Sequence, residues 1–569
     1  MKKIYLLLVL YTLANSLSAQ PSLSQKTIIF IKVWGFLKYY HPVLAKGKVD
    51  WDKEFMNGIQ KLSYLNSREA VNEFLLNRIN SLGAIPACKS CKDTIAGGLN
   101  INLKLNWLND SLLFVPELVA KLNYIRNNRN QKQNHYAYLK RVALVVPFSG
   151  PTFENEKSYP DSVFPSPQMR MLTLARYWNI VNYYYPYKYA LDMDWDEVLT
   201  ESVKNFSESK DTLSYHLAIL VLTTRINDSH SSFSTPQIRK FFGEKRPLFG
   251  IRIVNRQPVV NYTIVADSGS NPDVIKRGDI ILTVDDEPVA ELIEKKMRYL
   301  QGSNEPAKFR GLTPTLLSGG TSTVKISYKR DNMVFTRIFN RYSVDEQLAM
   351  LPGRNTIKLN TSNAWKILDT NIGYINLGKL EVHEVDDAMR ELMNTKGLIL
   401  DLRNYPKSII NKLGNYFNIE EKAFARLTTP DLDFPGVMKH SKYLYTGRKQ
   451  SAVYKGTVVV LINEQTQSMA ELTAMALQTG RDIIAIGSQT AGADGDMRKI
   501  PLPGGFTATM TGLGVYYPDG KETQRIGIVP DVEVKPTITG IRTGVDEVYE
   551  YAKKIINKKQ PSFPAKLSQ

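Results

Sequence analysis

The stretch Thr457-Val458-Val459-Val460-Leu461-Ile462-Asn463-Glu464-Gln465-Thr466-Gln467-Ser468-Met469-Ala470-Glu471 carries the fold in its pattern. Its opening run is β-branched or aliphatic with no polar alternation, which predicts a buried strand ending at Asn463. A polar turn follows, and Ser468 opens a helix running to about Thr479. With Glu471 three residues on, Ser468 has the form of a capping box, serine at the N-cap and glutamate at N3. The position also has a chemical reading. A serine at a strand-to-helix turn exposes its Oγ beside the first N–H groups of the helix and the positive end of its dipole. That setting suits acyl transfer, in which negative charge develops on a carbonyl oxygen. The turn alone fits both readings.

Ile372 to Leu377 and Gly397 to Arg403 upstream, and Ile483 to Gly487 downstream, are further β-type runs separated by helical stretches such as Glu384 to Met393. Strands alternating with helices predict an α/β domain over residues 355–540, with a C-terminal helix and tail over 541–569. From Pro247 the pattern is one of short alternating runs: Leu248-Phe249-Gly250-Ile251, Val259 to Val265, and Val274 to Asp285 with its Gly278-Asp279 turn. This segment, 246–342, resembles a PDZ domain. The resemblance implies that backbone N–H groups around Leu248, Phe249, Gly250 and Ile251 face a peptide C-terminus, Gly250 letting the backbone turn its donors toward the anion. The peptide would add a strand to the sheet edge.

The N-terminal half repeats itself. Trp34-Gly35-Phe36-Leu37-Lys38-Tyr39-Tyr40-His41-Pro42 matches Trp178-Asn179-Ile180-Val181-Asn182-Tyr183-Tyr184-Tyr185-Pro186, and Asp50-Trp51-Asp52 matches Asp194-Trp195-Asp196, at the offset 178 − 34 = 144. Arg78-Ile79-Asn80 then matches Arg225-Ile226-Asn227 at 225 − 78 = 147. Apolar residues at helical spacing, with Pro42 or Pro186 closing the run, predict a duplicated helical unit, one copy over 20–150 and a second over 165–245. Its aromatic residues are expected in the core. At the second offset Ser81-Leu82-Gly83 stands opposite Asp228-Ser229-His230, so only the second copy carries a histidine there.

With 569 residues, 43% of them hydrophobic, the chain has material for several cores, and a multidomain α+β protein is expected. Lys2-Lys3, the apolar run Ile4 to Leu13 and the small or polar stretch Ala14 to Ala19 read as a secretory signal over 1–19. The apolar run is too short to span a bilayer and no later run replaces it, so export to the periplasm or beyond is expected, with no transmembrane segment. Cys88 and Cys91 are the only cysteines, and in an exported chain a local disulfide is expected. A zinc site would need a second ligand pair, which the neighbouring sequence lacks, so no metal is expected. The net charge of +18 raises nucleic acid as a partner, but the basic residues are scattered and not interleaved with aromatics. A solvated surface that favours acidic partners is expected instead.

Four segments together resemble the C-terminal-processing and tricorn-type serine peptidases. They are Gly397 to Arg403 with Asn404-Tyr405-Pro406, Ser468-Met469-Ala470-Glu471, Gly487-Ser488-Gln489-Thr490-Ala491-Gly492, and Gly527-Ile528-Val529-Pro530-Asp531. The resemblance implies an α/β catalytic domain of the tail-specific protease type, Ser468 as nucleophile, and no metal or organic cofactor. Lysine-type members place their base 25 residues after the serine, where this chain has Ala493. The tricorn branch uses a histidine preceded by serine, ahead of the PDZ domain, and Ser229-His230 fits that placement. Imidazole, with a pKa of about 6.5, suits a general base, so His230 is expected to take the Ser468 proton. Ser229 would link it to a glutamate before the Gly527 to Asp531 segment. Glu522 is preferred over Gln524, because a carboxylate stabilises an imidazolium better than an amide does. Backbone N–H groups of Met469 and Lys407 are expected to form the oxyanion hole, although Lys407-Ser408 replaces the family's Gly-Gly. The expected function is an exported serine peptidase acting through an acyl-enzyme on Ser468, with protein or peptide substrates recognised by their C-termini. The alternative is an inactive envelope scaffold that binds peptide C-termini through its PDZ-like unit.

Overall fold

The computed structural model describes residues 21–92, 97–131, 133–141, 149–264, 274–350, 363–450 and 453–558, and the expected signal over 1–19 lies outside them. Three helices open the described chain: α1 (Leu23–Tyr40), α2 (Trp51–Leu62) and α3 (Arg68–Ser81). Their counterparts in the second unit are α4 (Pro167–Tyr184), α5 (Trp195–Ser207) and α6 (Thr212–Thr224). In each unit two tryptophans exchange indole N–H bonds with one another's carbonyl. Trp34 donates to Trp51 O at 3.0 Å and receives at 3.1 Å, while Trp178 donates to Trp195 O at 2.7 Å and receives at 3.0 Å. The exchange satisfies indole donors that an aromatic core would otherwise strand. Each unit also joins its second helix to the end of its third through an ion pair, Glu54 with Arg78 and Glu201 with Arg225.

The two units share one hydrophobic core. A Cβ at Gly35 would fall 1.9 Å from the Asn179 side chain, so glycine there is what lets α1 approach α4 closely enough for Asn179 to donate to Ile31 O at 3.0 Å. A buried ion cluster crosses between the units: Lys38 lies 2.7 Å from Glu156, and Arg176 lies 2.6 Å from Asp52. Cys88 and Cys91 are joined in a disulfide.

Next comes an antiparallel sheet in the order β1 (Phe249–Val254), β2 (Gln257–Thr263), β3 (Ile280–Val284), β4 (Thr323–Arg330) and β5 (Met333–Asn340), with the short strand Glu287–Pro288 beside β3. Two helices, α7 (Val289–Met297) and α8 (Glu305–Leu316), lie between β3 and β4 in the chain. β1 is an edge strand and α8 packs along it.

The C-terminal half holds a six-stranded sheet in sequence order: β6 (Trp365–Leu368), β7 (Ile372–Asn376), β8 (Gly397–Asp401), β9 (Thr457–Ile462), β10 (Ile483–Gly487) and β11 (Val532–Glu533). β6 runs antiparallel to β7, and the remaining neighbours are parallel. Val458, Val460 and Ile462 pack against the helices α9 (Val385–Leu392) and α10 (Met469–Leu477). Val459 and Leu461 face the helix α11 (Glu547–Asn557) on the other side. This two-sided burial is why β9 has no polar alternation. A hairpin, Met497–Leu502 with Phe506–Thr511, sends Ile500, Leu502, Ala508 and Met510 into the helical core and thereby docks the second helical unit onto this domain. Among the described residues no helix is long and apolar enough to cross a membrane.

Candidate active site

Ser468 ends the turn after β9 and caps α10, but not in the way the other capping residues do. Its backbone has φ 57° and ψ −116°, whereas Ser67, Thr235 and Asn304 cap their helices with φ of −138°, −135° and −145°. A positive φ is costly for a residue with a Cβ. The conformation is held from both sides: Ser468 N–H donates to Ala493 O at 3.0 Å and to Glu471 Oε2 at 3.1 Å. Its Oγ donates to Gly495 O at 3.4 Å. Thr466 Oγ1 donates to Leu402 O at 2.8 Å, tying this turn to the segment that leaves β8 at the same carboxyl edge of the sheet. Lys407 follows in that segment, exposed, with Nζ 3.8 Å from Glu381. Met469 N–H belongs to the first turn of α10, where N–H groups have no intrahelical partner.

Glu471 does more than cap. Fully buried, it also accepts from Thr490 Oγ1, from Gly492 N–H at 2.7 Å and from Ala493 N–H at 3.1 Å, so one carboxylate organises both the serine turn and the loop after β10. Burial raises its pKa, and these donors oppose the rise. Nothing in the local sequence pairs Glu471 with residues some twenty positions later, and the capping-box pattern hides the role.

Asp228, Ser229 and His230 lie in the segment after α6. Asp228 accepts from Thr511 N–H at 2.7 Å, from the Thr511 hydroxyl at 2.9 Å and from His230 N–H at 2.9 Å. Because the Thr511 hydroxyl gives its proton to Asp228, it accepts from His230 Nδ1–H, 2.9 Å away. Burial lowers the His230 pKa, the Asp228 and Asp496 carboxylates oppose that, and the Arg310 guanidinium reinforces it. Among the described residues no hydrogen bond joins His230 to Ser468.

Ser229 is knotted to the far side of the site. Its N–H donates to Ser303 Oγ at 2.8 Å, its Oγ donates to Ala491 O at 3.1 Å, and its carbonyl accepts from Gln467 Nε2 at 3.2 Å. Gln524, buried, reaches Ser303 Oγ at 3.4 Å. Glu522 instead accepts from Tyr189 OH at 2.6 Å.

Phe249, Gly250 and Ile251 line a groove of about 550 Å³ between β1 and α8. Leu248, just before β1, accepts from Ile264 N–H at 2.7 Å. Phe249 and Ile251 turn their side chains into the core of the β unit. Gly250 does not adopt a left-handed φ; a Cβ there would fall 2.2 Å from the Tyr262 ring, so the glycine makes room for Tyr262 rather than re-aiming backbone donors.

A serine at a strained turn on the carboxyl edge of a parallel sheet, with helix N–H groups beside it, has the form of a serine-peptidase site. In agreement, residues 371–534 match the model of Peptidase family S41. The carboxy-terminal-processing protease of Bartonella bacilliformis is 26% identical over 220 residues, which cover 37% of this chain and 49% of that protein. The carboxy-terminal processing protease CtpA of Bacillus subtilis is 28% identical over 190 residues, 32% of this chain and 39% of that protein. The chain therefore spans less than half the length of these two relatives. Among solved structures, mature CPAF shares the fold with a TM-score of 0.53 at 13% identity, over 68% of this chain and 96% of that one.

The match corrects the expected base. S41 peptidases work through a serine–lysine dyad, so the reading of His230 as acceptor of the Ser468 proton does not stand. The orientation of the serine agrees, since its Oγ is turned to Gly495 O. Ala493, 25 residues after Ser468, is buried with its N–H on Glu471.

Proposed function

We propose that this chain is an exported hydrolase of peptide bonds with Ser468 as nucleophile. The observation that carries the proposal is the φ of 57° at Ser468. Capping a helix needs only extended backbone, so a conformation costing about 1–3 kcal/mol has no use in a plain cap and has one in exposing a nucleophile. Ser468 Oγ would attack the substrate carbonyl carbon, its proton passing to the substrate nitrogen as the C–N bond breaks and the amine leaves, and water would then add to the acyl carbon, freeing the acid and returning a proton to Oγ. Met469 N–H and backbone N–H at Lys407 would receive the developing oxyanion.

The β unit over 246–342 is the PDZ-like part, taking an extended peptide along the free edge of β1 with its terminal carboxylate toward Leu248 and Gly250. The paired helical units, with their matching tryptophan exchanges, are the products of a duplication and frame the site. Residues 1–19 would direct the chain out of the cytoplasm.

A fluorophosphonate probe tests the nucleophile: labelling of the intact protein, lost in Ser468→Ala, is expected. Failure to label the intact protein would favour a second reading, an inactive scaffold that binds peptides. Ala493 at the lysine position and Lys407-Ser408 in place of two glycines favour that reading.

A further inference from the structure

Resting on the peptide-docking reading above, we infer that the middle of the groove between β1 and α8 is a subsite for an acidic substrate side chain, formed by Arg310 and Arg252. Four arginines and one lysine line the groove against two glutamates. Arg256 is already matched to Glu294 and Glu305 at the far end and Lys535 to Glu533, so the unmatched positive charge lies nearer the middle and the Gly250 end.

Arg310 is the clearest case. From α8 it crosses to the turn before the nucleophile, donating to Glu464 O at 2.7 Å and to the Gln467 side-chain oxygen. Both acceptors are neutral, and among the described residues no carboxylate stands within ion-pair distance of Arg310. Burial accordingly lowers its pKa, with Glu471 and Glu464 opposing only from a distance. Arg252, projecting from β1 toward the same turn, meets Glu464 Oε1 at 2.9 Å, with the side chains 30% and 20% exposed. Arg252 is among the residues that line the groove.

The terminal carboxylate of a docked peptide is assigned to the Gly250 end, so the group that reaches mid-groove is an internal side chain. An Asp or Glu there would supply the counter-charge that Arg310 lacks, through charge-assisted hydrogen bonds stronger than those to its present neutral acceptors. It would bind beside Gln467, the residue preceding Ser468.

The test uses the full chain carrying Ser468→Ala, so that peptide is not consumed. Calorimetry would compare octapeptides bearing one Glu, moved along the sequence, with their Gln counterparts and with C-terminally amidated versions. At one or two positions the Glu peptide should bind about tenfold tighter than the Gln peptide. Arg310→Gln should abolish that preference while leaving the Gln-peptide affinity unchanged. Should Arg310→Gln fail to fold, Arg252→Gln at its more exposed position is expected to cut the preference by about threefold. Equal binding of Glu and Gln peptides at every position would overturn the subsite and leave the groove reading intact. A preference that disappears on amidation would assign the carboxylate to the peptide terminus and overturn the side-chain subsite. No binding of any peptide would overturn the groove reading and this inference with it.

Discussion

The two helical units are built alike and end differently. Both carry the reciprocal tryptophan exchange and the arginine–glutamate pair at the end of the third helix. In the first unit the turn that follows is idle: Ser81 Oγ donates back to Arg78 O at 2.8 Å, and a Cβ at Gly83 would meet nothing within 4 Å. In the second unit the corresponding residues are consumed by the site, Asp228 by Thr511 and His230, Ser229 by Ser303 and Ala491. The helical frame sets where such a turn projects, and the residues at its tip decide whether it is bound. Frame and tip are thus separable, and substitutions in the two units should show it.

The largest difference is expected at the tip. Asp228→Ala removes the acceptor from three buried donors and should cost about 3–5 kcal/mol in urea unfolding, whereas Ser81→Ala should stay within about 0.5 kcal/mol. Similar costs for both would break the distinction between bound and idle tips. In the frame the units should instead agree. Trp34→Phe and Trp178→Phe each lose an indole donor and shrink a packed ring, at about 2–3 kcal/mol apiece. Unequal costs would show that the two frames are not energetically equivalent.

Much of this architecture is legible in sequence because it depends on short-range pattern. The unalternated run in β9, the helical spacing of aromatics around Trp34 and Trp178, and the close Cys88 and Cys91 all act over a few residues. What escapes are relations across the chain. Glu471 looks like a cap because its other partners, Thr490 to Ala493, come from the next strand's loop. Thr511 meets Asp228 from 283 positions away, on a hairpin whose docking no local pattern states. Arg310 has no motif around it, and Gly250 is explained only by the Tyr262 ring on the neighbouring strand. In sequence nothing but chemistry separates Glu522 from Gln524, and the fold puts Glu522 on Tyr189 and Gln524 on Ser303.

A buried lysine sharpens the comparison of frames. In the short helical turns after α1 and α4, Leu44 of the first unit corresponds to Lys188 of the second. Lys188 Nζ is buried and donates to Asn182 O at 3.0 Å and Asn182 Oδ1 at 2.6 Å. Burial pulls its pKa from 10.5 down to about 7, opposed by Asp196 and Asp194 and reinforced by Lys104 and Lys32. The unfolded chain therefore holds this proton up to about pH 10.5 while the folded chain releases it near 7. Lowering the pH through that window favours unfolding, with the penalty complete below about 7 and absent above about 10.5. Lys188→Met relieves the penalty but leaves Asn182 short of a donor, so a net gain of about 1–2 kcal/mol is expected at pH 7. The gain should fall as the pH approaches 10, and a gain that does not change with pH would show that Lys188 is charged in the fold.

The smallest effect expected is also the one that bears most directly on the nucleophile, because the same substitution should have opposite signs at two serine caps. Ser67 opens α3 of the first unit in extended backbone, its Oγ accepting from Ala70 N–H at 3.1 Å. Ser67→Gly should cost a few tenths of a kcal/mol, the usual loss of a cap side chain to glycine. At Ser468 the φ of 57° penalises any residue with a Cβ, and glycine escapes that penalty. Part of the relief is offset by the greater freedom glycine gives the unfolded chain, so Ser468→Gly should stabilise by about 0.5–1 kcal/mol. Ser468→Ala keeps the Cβ and should leave stability nearly unchanged, while both variants should lose fluorophosphonate labelling. Urea midpoints of the three variants separate backbone strain from side-chain chemistry, because only the glycine changes the first and both Ser468 variants remove the second. Destabilisation by Ser468→Gly comparable to that by Ser67→Gly would make Ser468 an ordinary cap and take away the observation on which the proposed nucleophile rests.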